Sequence, residues 1–281
     1  MRPSDPIKLS NGVAMPRCGF GTANLRGDVG ERAVRDAIEA GYRSIDTAEA
    51  YGNEGAVGRA ITASGLPRDE LFVTTKFDRH WHHEDGPRQA LAASLDRLGL
   101  DTVDLLLIHW PNPSLGRYVD AWRGMVDLLE GERVRAIGTS NFTPEHLTHL
   151  LDATGVAPHV NQIQLNPWVP RHAERAFHGA HRIVTESWGP LGLGWGHDRS
   201  TSLFDEPPVI AAAEAHGRTP GQVILRWHLQ LGLVAIPRTQ HAARMRENLD
   251  LDGFQLTDEE MEAITALERD GVAVDPETTG H

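Results

Sequence analysis

The sequence predicts an α/β fold: a (β/α)8 TIM barrel with an N-terminal β-hairpin and extra helices. Three observations carry that expectation. Eight strand-like runs alternate with amphipathic helical patterns. Eight such units in about 250 residues is the size and rhythm of this barrel. No linker, low-complexity tract or charge block interrupts the 281 residues, so a single domain is expected over residues 1–281. A doubly wound sheet is the competing architecture. It usually splits into two halves and places a Gly-rich turn after its first strand. The missing boundary favours the barrel.

The elements follow in order. "IKLSNGVAMP" reads as a small hairpin turning at Asn11-Gly12. Strands are expected at residues 17–20, 43–45, 71–75, 103–108, 134–138, 159–163, 183–186 and 233–236. Helices fit between them. "ERAVRDAIEAG" stops on Gly41. "GPRQALAASLDRLGL" carries Pro87 where a first turn tolerates it. "YVDAWRGMVDLLEG" stops at Gly131. "TPEHLTHLLDATG" opens on Thr143 as N-cap, with Pro144 next and Gly155 beyond its end, and "TPGQVILRWHLQLG" repeats that punctuation. An extra helix is expected near "TDEEMEAITAL", then a loose tail from Gly271. The Gly-rich, polar stretch 187–206 follows the seventh strand, at the rim where barrel enzymes keep their ligands.

Bulk properties exclude several functions. The formal net charge is -12, with Lys+Arg 27 against Asp+Glu 39. That balance disfavours nucleic acid and anionic membranes as partners. Cys18 is the single cysteine, so no internal disulfide forms, which fits a reducing cytosol. No N-terminal apolar stretch has signal-peptide length, and no window approaches the roughly 20 apolar residues of a membrane span. A soluble, cytoplasmic protein is expected.

Common nicotinamide signatures are missing. "GFGTAN" begins like G-x-G-x-x-G but ends on Asn24, and "GLGWGH" fails in the same way. The residues four beyond Tyr42, Tyr51 and Tyr118 are Asp46, Gly55 and Trp122, so no Tyr-x-x-x-Lys pair exists. His80, His82, His83 and the pair His146/His149 lack an accompanying ligand framework, and no metal is expected.

Asp46, Tyr51, Lys76 and His109 lie at or just beyond the ends of three strand runs, "YRSIDTAEAYGNE", "LFVTTK" and "VDLLLIHWP". Parallel strands end on one side of a barrel, so the four converge on one rim. Singly, each has a bland reading: a turn cap, a packing phenol, a solvated strand end, a satisfied imidazole. Jointly they make a proton-transfer site. The ordinary tyrosine pKa of about 10 is high for a proton donor near neutrality. A neighbouring Lys76 cation is expected to lower it, with Asp46 as the counter-charge. His109 would direct a carbonyl oxygen toward the phenol. Reduction also needs a hydride, which no side chain supplies, so a bound cofactor is required.

At this point the chain resembles the aldo-keto reductases over residues 7–267. "GYRSIDTAEAYGNE", "FVTTK" and "VDLLLIHWP" are similar to the family's Asp/Tyr, Lys and His segments. "VRAIGTSNF", "VNQIQLNPW" and "IPRTQHAARMRENLDL" resemble its Ser-Asn, Gln and cofactor-phosphate segments. "ESWGPLG" and "LRWHLQ" look like the prokaryotic branch that contains the 2,5-diketo-D-gluconate reductases. The resemblance implies NADPH/NADP+ across the C-terminal rim, a tetrad of Asp46, Tyr51, Lys76 and His109, and Tyr51 as general acid. It implies Ser140, Asn141 and Gln162 on the nicotinamide carboxamide, and Trp188 against the ring. Gly189, Leu191 and Gly192 would line the pyrophosphate. Arg238, Thr239 and Arg244 would meet the 2′-phosphate, and Glu247 and Asn248 the adenosine end. Two arginines and a hydroxyl suit a phosphate dianion on chemical grounds too. The substrate would be a small carbonyl, and the resemblance implies a monomer.

Arg238 and Thr239 stand where the family more often has lysine and serine, and Asp78 where an aromatic residue is frequent. Phe20, Trp81, Trp110 and Asn112, with Trp188, are expected around the substrate. A cofactor-sensing regulatory subunit on the same barrel is the alternative to an enzyme, since fold alone does not separate them. The intact tetrad favours catalysis.

Overall fold

The computed structural model describes residues 5–192 and 201–280. Strands β1 (Ile7–Lys8) and β2 (Ala14–Met15) form the antiparallel hairpin. The Gly12 amide donates to the Leu9 carbonyl across its turn at 2.9 Å. Eight parallel strands follow in sequential order: β3 (Phe20–Gly21), β4 (Ser44–Asp46), β5 (Phe72–Phe77), β6 (Val103–Ile108), β7 (Val134–Ser140), β8 (Val160–Gln164), β9 (Val184–Trp188) and β10 (Val234–Ala235). The first and last of these meet. Cys18 bridges Ala235 in parallel, and the Gly19 amide donates to the Ala235 carbonyl at 2.9 Å. This is the (β/α)8 arrangement.

Strand alternation divides the apolar residues into two cores. Leu106 and Ile108 of β6 face the helices, where they join Val73, Val103, Ile137 and the helix side chains. Leu105 and Leu107 face inward and meet Phe72, Ala136, Val160, Val184 and Val234. The hairpin supplies Leu9 and Met15 to this inner cluster and plugs the barrel's lower end. At Gly138 of β7 any side chain would collide, because a Cβ would lie 2.3 Å from the Val160 carbonyl oxygen.

The helices are α1 (Gly27–Ala40), α2 (Glu54–Ser64), α3 (Gly86–Leu98), α4 (Tyr118–Asp127), α5 (Pro144–Thr154), α6 (His172–His181), α7 (Pro207–His216), α8 (Pro220–Gln230), α9 (Ala242–Leu249) and α10 (Asp258–Thr265). Thr143, Thr219 and Thr257 cap α5, α8 and α10, each in a reciprocal capping box. Three expectations change. The α4 helix ends at Asp127 and tightens into a 3-10 turn, so Gly131 sits one turn past its end. Helices α2, α6 and α7 add to those expected, with Gly65 closing α2 and Pro207 and Gly217 bounding α7. The chain beyond Gly271 is docked, not loose. Val274 donates its amide to Gln164 Oε1 at 2.6 Å, Arg171 Nη2 donates to the Val274 carbonyl at 3.2 Å, and His146 Nε2 lies 3.1 Å from Glu277 Oε1. Of the stretch 187–206, residues 193–200, which hold most of "GLGWGH", lie outside the described residues.

Candidate active site

Lys76 is the fifth residue of β5 and points into the barrel, 0 % exposed. A buried ammonium needs every proton met. Its Nζ donates to Asp46 Oδ1 at 2.7 Å and Oδ2 at 2.8 Å, to the Thr47 carbonyl at 3.0 Å and to the Tyr51 hydroxyl at 3.4 Å. Tyr51 ends a 3-10 turn just after β4, which places its phenol over that pair. His109 follows β6, and its ring meets the Tyr51 ring edge-on at 5.7 Å. The four residues expected at one rim are together there.

Burial pushes the Tyr51 hydroxyl above its ordinary 10, against the opposing pull of the Lys76 cation, and the Asp46 charge adds to the rise. The expected lowering by Lys76 is therefore overruled by desolvation. Tyr51 is protonated throughout the neutral range. For Lys76, burial disfavours the charge, but Asp46 and then Tyr51 outweigh it, and the ammonium is held above 10.5.

The Ser-Asn and Gln segments meet beside the tetrad. Asn141, in a left-handed conformation at φ 65, donates from Nδ2 to the His109 carbonyl at 3.1 Å and to Ser140 Oγ at 3.0 Å. Ser140 Oγ donates to the Gln162 carbonyl at 2.9 Å. The Trp188 indole N–H donates to Asn141 Oδ1 at 2.8 Å, which fixes the ring at the end of β9. Gly189 and Gly192 turn the chain with φ 61 and φ 77, and Leu191 between them is partly buried. Arg238 and Arg244 are exposed, and neither pairs with a carboxylate among the described residues. Arg238 Nη1 donates to the Ala23 carbonyl at 2.6 Å, and Thr239 Oγ1 accepts from the His241 amide at 3.2 Å. Glu247 Oε1 accepts from Thr219 Oγ1 at 2.6 Å, and Asn248 is buried beside Cys18.

The substrate-side expectations divide. Trp81 is partly buried at the rim, with its indole N–H on the Glu49 carboxylate at 3.0 Å. Trp110 stacks beside His109, the ring centroids 6.4 Å apart. Asn112 is covered by the docked tail, since a Cβ on Gly280 would lie 2.0 Å from its Nδ2. Phe20 does not belong to this set. It packs edge-on against Tyr42 at 5.5 Å, in the core between strands and helices. Its strand parity turns it away from the barrel interior.

Several contributors were not among the expected site residues. Asp78 Oδ1 lies 3.2 Å from His109 Nδ1. Asn53 ties the loop after β4 to that after β3, donating from Nδ2 to the Thr22 and Leu25 carbonyls and accepting from Thr47 Oγ1 at 2.7 Å. Glu186, fully buried on β9, accepts from Gln162 Nε2 at 2.7 Å. Its signal was present as an acid two residues beyond Val184, on the inward parity. Of the histidines with a possible metal reading, His146 completes the α5 cap and His149 Nδ1 lies 2.6 Å from the Tyr118 hydroxyl, whereas His82 is buried with neither ring nitrogen hydrogen-bonded. Among the described residues no cluster of His, Cys, Asp and Glu is placed to hold a metal, and no helix is long and apolar enough to cross a membrane.

This geometry can be set beside known proteins. Residues 17–269 match the model of the aldo/keto reductase family. The chain is 49% identical over 263 residues to a 2,5-diketo-D-gluconic acid reductase B of Corynebacterium sp. (strain SHS752001), covering 94% of this chain and 93% of that protein. It is 47% identical over 271 residues to an aldo-keto reductase of Mycolicibacterium smegmatis, covering 96% and 93%. A crystal structure of an aldo/keto reductase from Brucella melitensis superposes with a TM-score of 0.89 at 40% identity, over 95% of this chain and 99% of that one. A mutant of Gox0644, solved in complex with NADPH, superposes with a TM-score of 0.90 at 40% identity over 98% of both chains. With the family model spanning most of its length and relatives nearly half identical over almost all of it, this chain belongs to the aldo/keto reductase family.

Proposed function

We propose that the protein reduces a small aldehyde or ketone to an alcohol, taking hydride from NADPH and a proton from Tyr51. The observation that carries this reading is the Tyr51 hydroxyl, 3.4 Å from a lysine that is itself buried on Asp46. Bound reduced nicotinamide supplies the hydride. The chain's own residues do the rest. Tyr51 holds its proton at neutral pH and delivers it to the carbonyl oxygen as negative charge grows there. Lys76 stabilises the phenolate that remains, and Asp46 keeps that cation in place. The His109 ring, seated against Asp78, orients the carbonyl oxygen toward the phenol.

The residues at the rim suit NADPH. The Trp188 ring, pinned by its indole N–H, offers a flat face for a nicotinamide. The glycine turn at 189–192 leaves backbone accessible near a pyrophosphate. Arg238 and Arg244, without carboxylate partners among the described residues, suit a 2′-phosphate. Glu247 and Asn248 would then flank the adenosine. The Corynebacterium relative's name supports a keto sugar acid or similar carbonyl as substrate, with Trp81 and Trp110 beside it. The same reading makes the protein a cytoplasmic monomer of one domain.

Steady-state NADPH consumption against a panel of aldehydes, ketones and keto sugar acids tests the activity. No consumption with any of them would overturn it. Arg244→Ala tests the coenzyme assignment. Charge-assisted hydrogen bonds contribute roughly 1.5–3 kcal/mol, so NADPH affinity should fall about 10- to 100-fold while NADH affinity holds. Equal losses for both coenzymes would make Arg244 a structural residue.

A further inference from the structure

Asp78 and His109 are the first residues beyond β5 and β6. The register pairs Phe77 with Ile108, and the His109 amide donates to the Phe77 carbonyl at 3.1 Å. Neighbouring strand ends thus bring the two side chains together, with Asp78 Oδ1 3.2 Å from His109 Nδ1. Charged and titratable groups from several elements surround the pair. Tyr51 meets the His109 ring edge-on and is kept protonated by burial. Lys76 lies beyond it, paired with Asp46. Glu49 accepts from the Asp78 amide at 3.4 Å and has His80 and Arg97 beside it. Burial lowers His82 to about 4 against the pull of Asp78, so that ring is neutral at pH 7. Deeper in the barrel, burial and then the Asp46 charge raise the Glu186 carboxyl to about 8.

A neutral imidazole carries one proton, on one nitrogen or the other, and a carboxylate can only accept. In water an imidazole holds a proton in preference to a carboxylate by roughly 2.6 pH units. The proton shared by this pair therefore belongs to Nδ1. The hydrogen bond at one ring nitrogen decides the state of the other, so neutral His109 has a bare lone pair at Nε2. A carbonyl oxygen also has only lone pairs to offer, and the neutral ring cannot hold it. The imidazolium can, because Nε2 then carries a proton while Nδ1 keeps its bond to Asp78. An alcohol brings an O–H and suits the bare nitrogen instead.

We propose that Asp78 is a positioning residue that fixes the His109 tautomer, so that the imidazolium holds a carbonyl and the neutral ring an alcohol. This rests on the reductase reading above and deepens it. Tyr51 remains the group that gives up its proton. His109 keeps its own and donates a hydrogen bond. Carbonyl reduction then needs the imidazolium, and it slows as rising pH removes that form.

Two measurements test this. Long-range proton–nitrogen NMR on protein with isotopically labelled histidines shows which ring nitrogen holds the proton, with no coenzyme or substrate present. The His109 signals are those missing from His109→Gln. In wild type Nδ1 should stay protonated on both sides of the ring's titration, and Nε2 should gain its proton on acidification. Asp78→Asn and Asp78→Leu should populate the neutral ring with its proton on Nε2. The second measurement follows kcat/KM for an aldehyde from about pH 5 to about 8, where imidazoles titrate. Wild type should lose about 10- to 100-fold as the imidazolium disappears, the share of a hydrogen bond from a charged donor. Both Asp78 variants should be nearly flat over that range, because their neutral ring can still donate from Nε2. Glu186 titrates in all three proteins, so its share cancels in the comparison. A neutral wild-type ring protonated on Nε2 would overturn the proposal, and that spectrum needs no folded Asp78 variant. One tautomer common to wild type and both variants, or coincident pH profiles, would overturn it too. No reduction at any pH would sink the functional reading and the carbonyl half of the proposal, while the spectra decide the tautomer on their own.

Discussion

The lower and upper halves of the barrel interior are built from the same strands and are equally buried, yet they differ in almost every other respect. On β8, Val160 below gives way to Gln162 above; on β9, Val184 gives way to Glu186. Below, Phe72, Leu105, Ala136 and Val234 close around the hairpin's Leu9 and Met15. Above, Asp46, Lys76, Gln162 and Glu186 share one hydrogen-bonded chain. Burial sets the strength of an interaction but not its kind. The lower layer gains from every apolar surface removed from water. The upper layer tolerates burial because most of its polar atoms are partnered, and the unpartnered Oε1 of Glu186 is on an acid that can hold a proton.

If chemistry belongs to the upper layer alone, Tyr51→Phe should cut turnover by at least about 10²-fold, with NADPH affinity and thermal midpoint unchanged. Near-normal turnover would remove Tyr51 as the acid. Lys76→Met attacks the same layer through its charge. It strands Asp46 without a cation, and losing one partner of a buried pair costs about 3–5 kcal/mol. Adding Asp46→Asn should restore most of that stability, read by urea unfolding, and none of the activity. Recovery of activity in the double variant would show that the pair serves the fold only. The lower layer should respond the other way. Leu105→Ala should cost about 2–5 kcal/mol in unfolding free energy while leaving turnover below the melting range intact.

The last effect concerns pH. Glu186 holds its proton to about 8 when folded, against 4.5 when unfolded, so the folded state binds more protons between those values. Its contribution to stability is complete below pH 4.5 and is lost as pH rises through 8. Glu186→Gln should therefore gain stability relative to wild type as pH is raised across that window, as followed by chemical unfolding. A difference that does not vary with pH would mean the acid is ionised in the folded protein.

The tetrad was legible because each member is a polar residue closing an apolar run, and parallel strands end together. The errors share a cause, which is that packing direction and distance are invisible to local pattern. Phe20 lies in an apolar run either way, and only strand parity turns it toward Tyr42. The polar tail looked free, yet its partners Gln164 and His146 are more than a hundred residues away in sequence. The neighbours of Tyr51 could be named in advance, but not the depth of burial that decides its acidity. Asp78 was seen as a departure from the family pattern, and only the fold set it against His109.

The join between the first and last barrel strands has a consequence for how the protein comes to exist. Cys18 meets Ala235, and Arg238 reaches back 215 residues to the Ala23 carbonyl. Contacts this distant in sequence form late and slow folding. During synthesis, the edge that will carry Gly19 waits unpaired until the far end of the barrel has been made. Such an exposed edge invites pairing with other chains. Arg238, assigned to the coenzyme phosphate, lies on that same seam. A ligand that binds there favours the closed ring over the open one by mass action. On the proposed reading, the coenzyme supply of the cell is then also a supply of clasps, protecting newly made barrels at the place where they are last to shut.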